Sequence, residues 1–515
     1  MQHLDSSIGS PEPAIDTSEP TAPFARPWFV LGLAMVIGLA IDTLALHQPP
    51  GLGLMLGMWI ALAVAASVSS LLGEPRPAGA VPILLAGLVV AAFIGVRTSP
   101  VLLSLNLGAT IAVIAVLAQL HRAGSITNWT ITDYGSQPFV TGAEMAMGSR
   151  DFLSSDLPTS FGDQHRKRLR SVGVGLLLGT PLLIVFAGLF ASADVVFSDY
   201  LDRFAQSILF GSIFWRLVLG AFLGLAIAGL WRSVRLPGYA REEAVKPYKV
   251  DFTTGITVLA LLVALFLFFV LTQIVGHSPE LERIHDYSSN AREGFFQLVT
   301  VAFLVLNLLL LFDWLTLPED RRRSPAFDRL AIVLIVLTGV VMVSAMNRMR
   351  LYVTSFGFTE LRFYSSVFMI WLAFVLAWFI ATVLRNRHAS FALGLVASGL
   401  VFIIGLNVAN PDALIVNLNW DRELRGDTFA EAYTADLSVD SLMALIAIRE
   451  SDPDARWCAI ERRLTWSRAQ LDAYWEEHGI LAESWAAHRA RQALHELNLW
   501  PIEGVECTKP TAATK

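Results

Sequence analysis

Residues 258–271 read VLALLVALFLFFVL, an apolar run without one polar side chain. Its flanks extend it to an apolar segment over 252–275. About 20 such residues in a helix cross the hydrocarbon core of a bilayer. Lipid offers no partner to backbone N–H and C=O groups, so a span must satisfy them internally, as a helix does. The run lacks the polar–apolar alternation of a transmembrane barrel strand. The stretch therefore reads as a lipid-facing helix, and the rest of the chain repeats the pattern.

Outward from this run, similar segments fall at 28–46, 51–72, 81–97, 101–120, 172–191, 210–231, 295–315, 328–347, 363–384 and 390–409. With 252–275 they make eleven, and the expected fold class is all-α: a polytopic transmembrane helix bundle with a soluble C-terminal helical domain. Composition agrees. Hydrophobic residues form 54% of the 515 and charged residues 16%, against about 25% charged in soluble proteins. No long basic tract points to nucleic acid. Only two cysteines occur, Cys458 and Cys507, which excludes a cysteine-rich metal or cluster site.

Three regions follow. Residues 1–27, rich in Pro, Ser, Thr and acidic residues, read as a disordered tail. They lack the basic start and short apolar run of a signal peptide. Residues 28–409 form the bundle. Residues 410–515 carry 18 acidic and 11 basic residues and read as soluble helices. There Ser438 is the expected N-cap before Leu442, Leu445 and Ile446. A helix is expected over 454–464, and another from a Ser467 cap to about Glu477, ended by Gly479. A last helix is expected over 482–498, with Trp457, Trp466, Tyr474, Trp475, Trp485 and Trp500 supplying much of the core.

Basic residues set the orientation. One set of alternate loops holds Arg150, Arg166, Lys167, Arg168, Arg170, Arg232, Arg235, Arg321, Arg322, Arg323, Arg385 and Arg387. The other set holds fewer. The richer set is expected in the cytoplasm, with the N-terminus inside and the C-terminal region outside. The cluster Arg166–Arg170 also suits anionic lipid.

Polar groups in or near spans are costly and so mark candidate sites. The topology gathers Asp42, Asp194, Arg292, Arg350, Glu360, Arg362 and Asp412 at the outer mouth of the bundle. That cluster suits a head group, a sugar, an ion or a partner protein, or it is interfacial charge of the ordinary kind. The segment Asn347–Tyr364 interleaves charge with aromatic anchors, as an interfacial connector or a lid would. Gly220 and Gly224, like Gly175 and Gly179, have the small-x-x-x-small spacing of close helix packing. No nucleophile elbow or phosphate-binding loop is present, and neither catalytic residues nor cofactor nor metal is expected. His478, His488 and His495 lack zinc-ligand spacing. Outside the cytoplasm, a Cys458–Cys507 disulfide is allowed; closing that loop contributes ~4 kcal/mol in the chain-entropy model.

Several motifs occur in order: Gly179-Thr180-Pro181 with Ser192-Ala193-Asp194 and Phe197; Ala291-Arg292-Glu293-Gly294-Phe295-Phe296-Gln297-Leu298; Arg348-Met349-Arg350-Leu351-Tyr352 through Gly357-Phe358-Thr359-Glu360-Leu361-Arg362; and Asn410-Pro411-Asp412-Ala413-Leu414-Ile415. Over roughly 170–450 the chain resembles the domain-of-unknown-function 4173 family of bacterial membrane proteins, which is related to the 4153 family. It departs from that pattern after Ile415, where Val416-Asn417-Leu418-Asn419 stands in place of a basic pair. The resemblance implies a multi-pass membrane protein and no particular activity.

Three functions fit these features. One is a non-enzymatic envelope sensor or scaffold that binds an extracytoplasmic protein partner through 410–515. A secondary transporter would use polar residues near mid-membrane, such as Asn106 and Asn307. An enzyme on lipid-linked substrates would use Asp42 or Asp194.

Overall fold

The computed structural model describes residues 26–67, 77, 79–123, 125–153, 213–233, 252–275, 287–315, 325–385, 387–426, 431–451, 458–497 and 499. Every regular element among them is helical. The long helices are α1 (Pro27–Ile41, continued by a π-helical turn Asp42–Leu46), α2 (Leu52–Ala66), α3 (Ala80–Ala92) and α4 (Pro100–Ala123). They continue with α5 (Ile131–Asp151), α6 (Ile213–Ser233), α7 (Phe252–Val275), α8 (Tyr287–Leu315), α9 (Ala326–Phe356), α10 (Glu360–Thr382) and α11 (His388–Ala409). The C-terminal helices are α12 (Pro411–Glu423), α13 (Glu431–Ala435), α14 (Leu442–Ser451), α15 (Cys458–His478) and α16 (Trp485–Glu496).

Among the described residues six helices are long and apolar enough to cross a membrane: Pro27–Leu46, Pro100–Leu120, Arg216–Ser233, Ala326–Phe356, Glu360–Arg385 and His388–Ala409. Four shorter apolar stretches, Leu52–Ala66, Ala80–Ala92, Ile256–Thr272 and Gln297–Phe312, coincide with other expected spans. The expected span 172–191, with Gly175 and Gly179, lies outside the described residues.

Close glycine contacts organise the first half. At Gly38 of α1, a Cβ would stand 2.4 Å from the Gly220 carbonyl oxygen and the Gly224 nitrogen of α6. Gly224 in turn lies against Ala34 and Met35, and Gly220 against Leu39, so the helices run antiparallel. The small-residue spacing at 220 and 224 thus marks a helix crossing. Helix α5, amphipathic and capped by a Thr130–Asp133 capping box, packs on α6 through Gly148 and Gly229. The sequence reading left α5 as loop, because its polarity hides a helix whose partner is α6.

A second core joins α7–α10 around buried Leu259, Phe295, Leu309, Phe327, Leu334 and Phe379. Helix α9 has 31 residues, about 46 Å at 1.5 Å per residue, well beyond a core of ~30 Å. The segment 347–356, expected to turn along the interface, instead continues this helix. Its buried stripe Met342, Ala345, Met349 and Val353 keeps helical spacing, which the interleaved charges disguised. The break falls at Gly357, where φ is +76°, a conformation that glycine adopts without steric cost.

The C-terminal helices pack on one end of the bundle. Their core of Ile415, Leu442, Leu445, Ile460, Leu464 and Leu494 includes Leu102 of α4, Phe363 of α10 and Leu406 of α11. Composition changes at 409/410, yet packing is continuous across it. The backbone N–H groups of Trp485 and Ala486 donate to Gly95 and Val96 at 2.8 and 3.1 Å. Residues 93–96 follow as turns that offer the Gly95 and Val96 carbonyls to this docking, so α3 ends at Ala92 rather than running on to 97. Helix α12 clamps the α9–α10 turn: Asn419 accepts from the Phe358 N–H at 2.7 Å and donates to the Phe358 carbonyl at 3.0 Å. Arg422 donates to the Thr354 carbonyl at 2.6 Å.

Two expectations for this region are corrected. Helices 454–464 and 467–477 are one helix, α15, because the stripe Ile460, Leu464, Ser467 and Leu471 keeps one period; Ser467 is buried within it and is no cap. Among the described residues the buried core that these helices supply is aliphatic: Trp466 and Trp485 are 51% and 55% exposed, Tyr474 and Trp475 are half-buried, and Trp457 and Trp500 lie outside the described residues. Tryptophan fills an interface better than a small core, since its ring is rarely enclosed completely. Ser438 does cap its turn, accepting from the Asp440 N–H at 3.3 Å, and Gly479 ends α15 at φ +71°.

Candidate functional site

The turn between α3 and α4 brings Arg97, Thr98 and Ser99 against the start of the C-terminal helices. The Asp440 carboxylate accepts both the Thr98 and Ser99 N–H groups at 2.9 Å. Arg97 donates through Nε to the Asn407 carbonyl at 2.9 Å and faces Asp440 and Asp412 electrostatically. Below it, Asn106 and Asn407 exchange side-chain hydrogen bonds of 2.9 and 2.7 Å. Both amides are fully buried. Asn410, at φ +50°, donates to the Asp440 carbonyl at 3.0 Å, and Asp412 accepts from the Ser438 hydroxyl.

This polar knot joins α4, α11, α12 and the turn before α14. Asn106 and Asn407 act as a clasp, since each amide takes up the other's polar groups. Replacing either by leucine is expected to cost ~1–2 kcal/mol, and replacing both less than the sum, because a single change strands the partner amide. A double-mutant cycle in reversible detergent unfolding reads this, and strict additivity would show the two to be uncoupled. Asn307, the other transporter candidate, is exposed and donates to the Phe303 carbonyl of its own helix at 2.8 Å.

Asp412 is fully buried. Burial, followed by the nearby Glu360 and Asp440, pushes its carboxyl up to about 6, while Ser438 pulls the other way. Between about pH 4 and pH 6 the fold therefore holds a proton there that the unfolded chain, titrating near 3.8, has released. Stability from this group is full in acid and falls as pH rises from about 4 to about 6, by ~3 kcal/mol. Asp412→Asn, which still accepts from Ser438, is expected to flatten that fall and to be the more stable protein at pH 8. Unfolding midpoints of the two proteins from pH 4.5 to 8 check this; parallel profiles would refute it.

Beside the knot lies a cavity of about 640 Å³, lined by Val101, Phe295, Met349, Tyr352, Thr359, Glu360, Leu361, Arg362, Tyr364 and Tyr433. That volume lies within the range of small-molecule sites. The walls come from α4, α8, α9 and α10, and Tyr433 of α13 closes one side. The Tyr433 hydroxyl accepts the Glu360 N–H at 2.8 Å. Burial pushes the Tyr433 phenol up. Arg362 donates to the Gly357 carbonyl at 2.5 Å and lies 4.3 Å over the Tyr352 ring.

The expected outer cluster divides accordingly. Glu360 and Arg362 line the cavity, and Asp412 lies behind it, in electrostatic reach of Glu360. Arg350 is exposed on α9 and outside the lining. Asp42 is fully buried in the π-helical turn, with His47 Nδ1 3.4 Å from its carboxylate and Arg216 in electrostatic reach. Asp194 and Cys507 lie outside the described residues, as do the side chains of Arg292 and Cys458. Asp440 and Tyr433 stand outside the expected cluster; the Ser438-x-Asp440 spacing ahead of an apolar run is the available signal for the first. Among the described residues no group of His, Cys, Asp or Glu is arranged to hold a metal ion. His488 and His495 sit 2.9 Å from Glu483 and Asp472 respectively.

These features define an all-α membrane protein in which C-terminal helices roof one end of the bundle. The family model described as a domain of unknown function (DUF4153) matches residues 80–448, most of the chain. The chain belongs to that family, the second of the two named above; the match takes in the whole cavity and the polar knot. No curated protein matches the chain, and no solved structure does.

Proposed function

We propose that the protein is a non-enzymatic sensor or scaffold of a bacterial cell membrane, in which an amphiphilic ligand in the cavity sets the state of the C-terminal helices. The observation that carries this reading is Tyr433, which both lines the cavity and accepts the Glu360 N–H. A ligand there touches the bundle and its roof at once, so occupancy biases how firmly the roof is held. In this reading the bundle has eleven spans. The N-terminus is cytoplasmic, and 410–515 forms an extracytoplasmic helical region that presents exposed Trp466 to a protein partner.

The test compares the wild type with V101W, which fills the cavity from a position 40% exposed, in nanodiscs of total membrane lipid. Backbone amides of 431–448 are expected to exchange faster in V101W. Equal exchange would sink the coupling. A photo-crosslinker at Trp466 should capture a protein in intact cells, and its failure to do so removes the partner from the reading. Impermeant maleimide should label Cys458 and Cys507 in intact cells only after reduction, as an outside, disulfide-bonded pair requires; labelling that needs permeabilised cells reverses the orientation.

One observation favours a secondary transporter as the second reading: fully buried Asp42 in a π-helical turn, beside His47 and Arg216. Intramembrane charge and π-turns both concentrate at functional sites. Proton or solute flux in proteoliposomes, lost in Asp42→Asn, would put that reading first. For an enzyme acting on lipid-linked substrates, Asp42 is sealed from substrate, and Asp194 lies outside the described residues.

A further inference from the structure

Glu360 and Arg362 stand two residues apart in the first turn of α10. On a helix, positions i and i+2 point in divergent directions and do not pair. Both nevertheless line the one cavity. Among the described residues, no hydrogen bond or ion pair engages the Glu360 carboxylate. Arg362 uses Nη1 for the Phe356 and Gly357 carbonyls. Among the described residues its other donor nitrogens make no hydrogen bond, and its guanidinium lies over the Tyr352 ring. Two opposite charges in one cavity, with no ion pair between them, suit a third group that carries both signs.

The surroundings separate a head from a tail. Tyr364 and Tyr433 stand with Glu360 in the lining; tyrosine faces attract an ammonium, and a carboxylate completes such a cage. Apart from Thr359, the remaining wall of Val101, Phe295, Met349 and Leu361 is apolar. Glu360 begins one candidate span, and Val101 is the second residue of another. Glu360 therefore lies at the level where its span begins, where lipid head groups sit, and Val101 opens the apolar wall at the same level. Leu361, 55% exposed beside it, continues the apolar wall outward.

We infer that the cavity binds a zwitterionic amphiphile. Its ammonium lies on Glu360 between the two tyrosines, its phosphate lies against Arg362, and its chain lies along the apolar wall. This deepens the reading above and rests on it, since both place a ligand in the same cavity.

The test uses full-length protein and four amphiphiles with the same dodecyl chain: dodecylphosphocholine, dodecyl phosphate, dodecyltrimethylammonium and dodecyl maltoside. Each competes with a fluorescent phospholipid analogue. The phosphocholine is expected to bind at least tenfold tighter than the other three. Glu360→Gln should remove that advantage over dodecyl phosphate while leaving dodecyl phosphate itself within about twofold. Arg362→Lys should weaken both phosphate-bearing probes and spare the trimethylammonium. In nanodiscs, retention of phosphatidylethanolamine over phosphatidylglycerol would identify the source as a bilayer lipid; retention of neither, with the soluble preference intact, would identify a free amphiphile. If all four probes bind the wild type equally and V101W abolishes all binding, the head-group assignment is wrong and the cavity reading stands. If V101W binds every probe as the wild type does, both are wrong.

Discussion

Asp440→Ala is expected to lower stability by ~3–5 kcal/mol, the largest effect of any single change at the roofed end. The carboxylate accepts two backbone N–H groups, from Thr98 and Ser99, and faces Arg97. Alanine would leave both donors orphaned in a buried turn and take a countercharge from a guanidinium that is itself largely enclosed. Each stranded donor costs about 1–3 kcal/mol, and breaking a buried charge pair from one side costs about as much as the two together. The effects overlap, so the total stays below their sum. Burial pushes the Asp440 carboxyl up, while the Ser99 and Thr98 amides and then Arg97 pull it back. Loss of the turn should release α16, whose first N–H groups bond to Gly95 and Val96. Limited proteolysis should then cut within 431–497 under conditions in which the wild type is intact. A variant with an unchanged midpoint and cleavage pattern would show that the knot does not hold the roof. Asp440→Asn keeps an acceptor but not the charge, and should fall between the two.

Gly38→Leu is expected to separate α1 from α6. A Cβ there meets backbone, at 2.4 Å from the Gly220 carbonyl oxygen and the Gly224 nitrogen. Backbone cannot swing aside as the end of a side chain can, so the helices must move apart along their crossing. Overpacking of this kind costs ~1–3 kcal/mol and sometimes more. In a membrane the loss is not recovered by burying the new leucine, because lipid is already apolar. Gly32 on the same helix supplies the control: a Cβ there meets nothing within 4 Å. Gly32→Leu has the same composition and should leave the unfolding midpoint unchanged, within about 0.5 kcal/mol. Equal effects from the two variants would mean that helix propensity, and not the crossing, sets the outcome.

The same contrast separates what local pattern carries from what it does not. The apolar segments, the Ser438 cap, the Gly479 stop and the small-residue crossing at 220 and 224 depend on composition, period and backbone freedom within about twenty residues. Such signals survive in one dimension. Helix α5 was missed because its polarity matches a loop, and only α6 shows which face is buried. The outward continuation of α9 was missed because charge on one face masked an unbroken buried stripe on the other.

The sequence by itself therefore determined an all-helical membrane protein and most of its apolar segments. Only the tertiary structure decided that Asn106 pairs with Asn407 across 301 positions, that Asp440 receives the turn at Thr98 and Ser99, and that Tyr433 closes a cavity begun by four other helices. The physical reason is that such contacts follow from how helices are brought together. A single carboxylate or phenol placed hundreds of residues from its partner leaves no period, run or spacing by which either could be recognised alone.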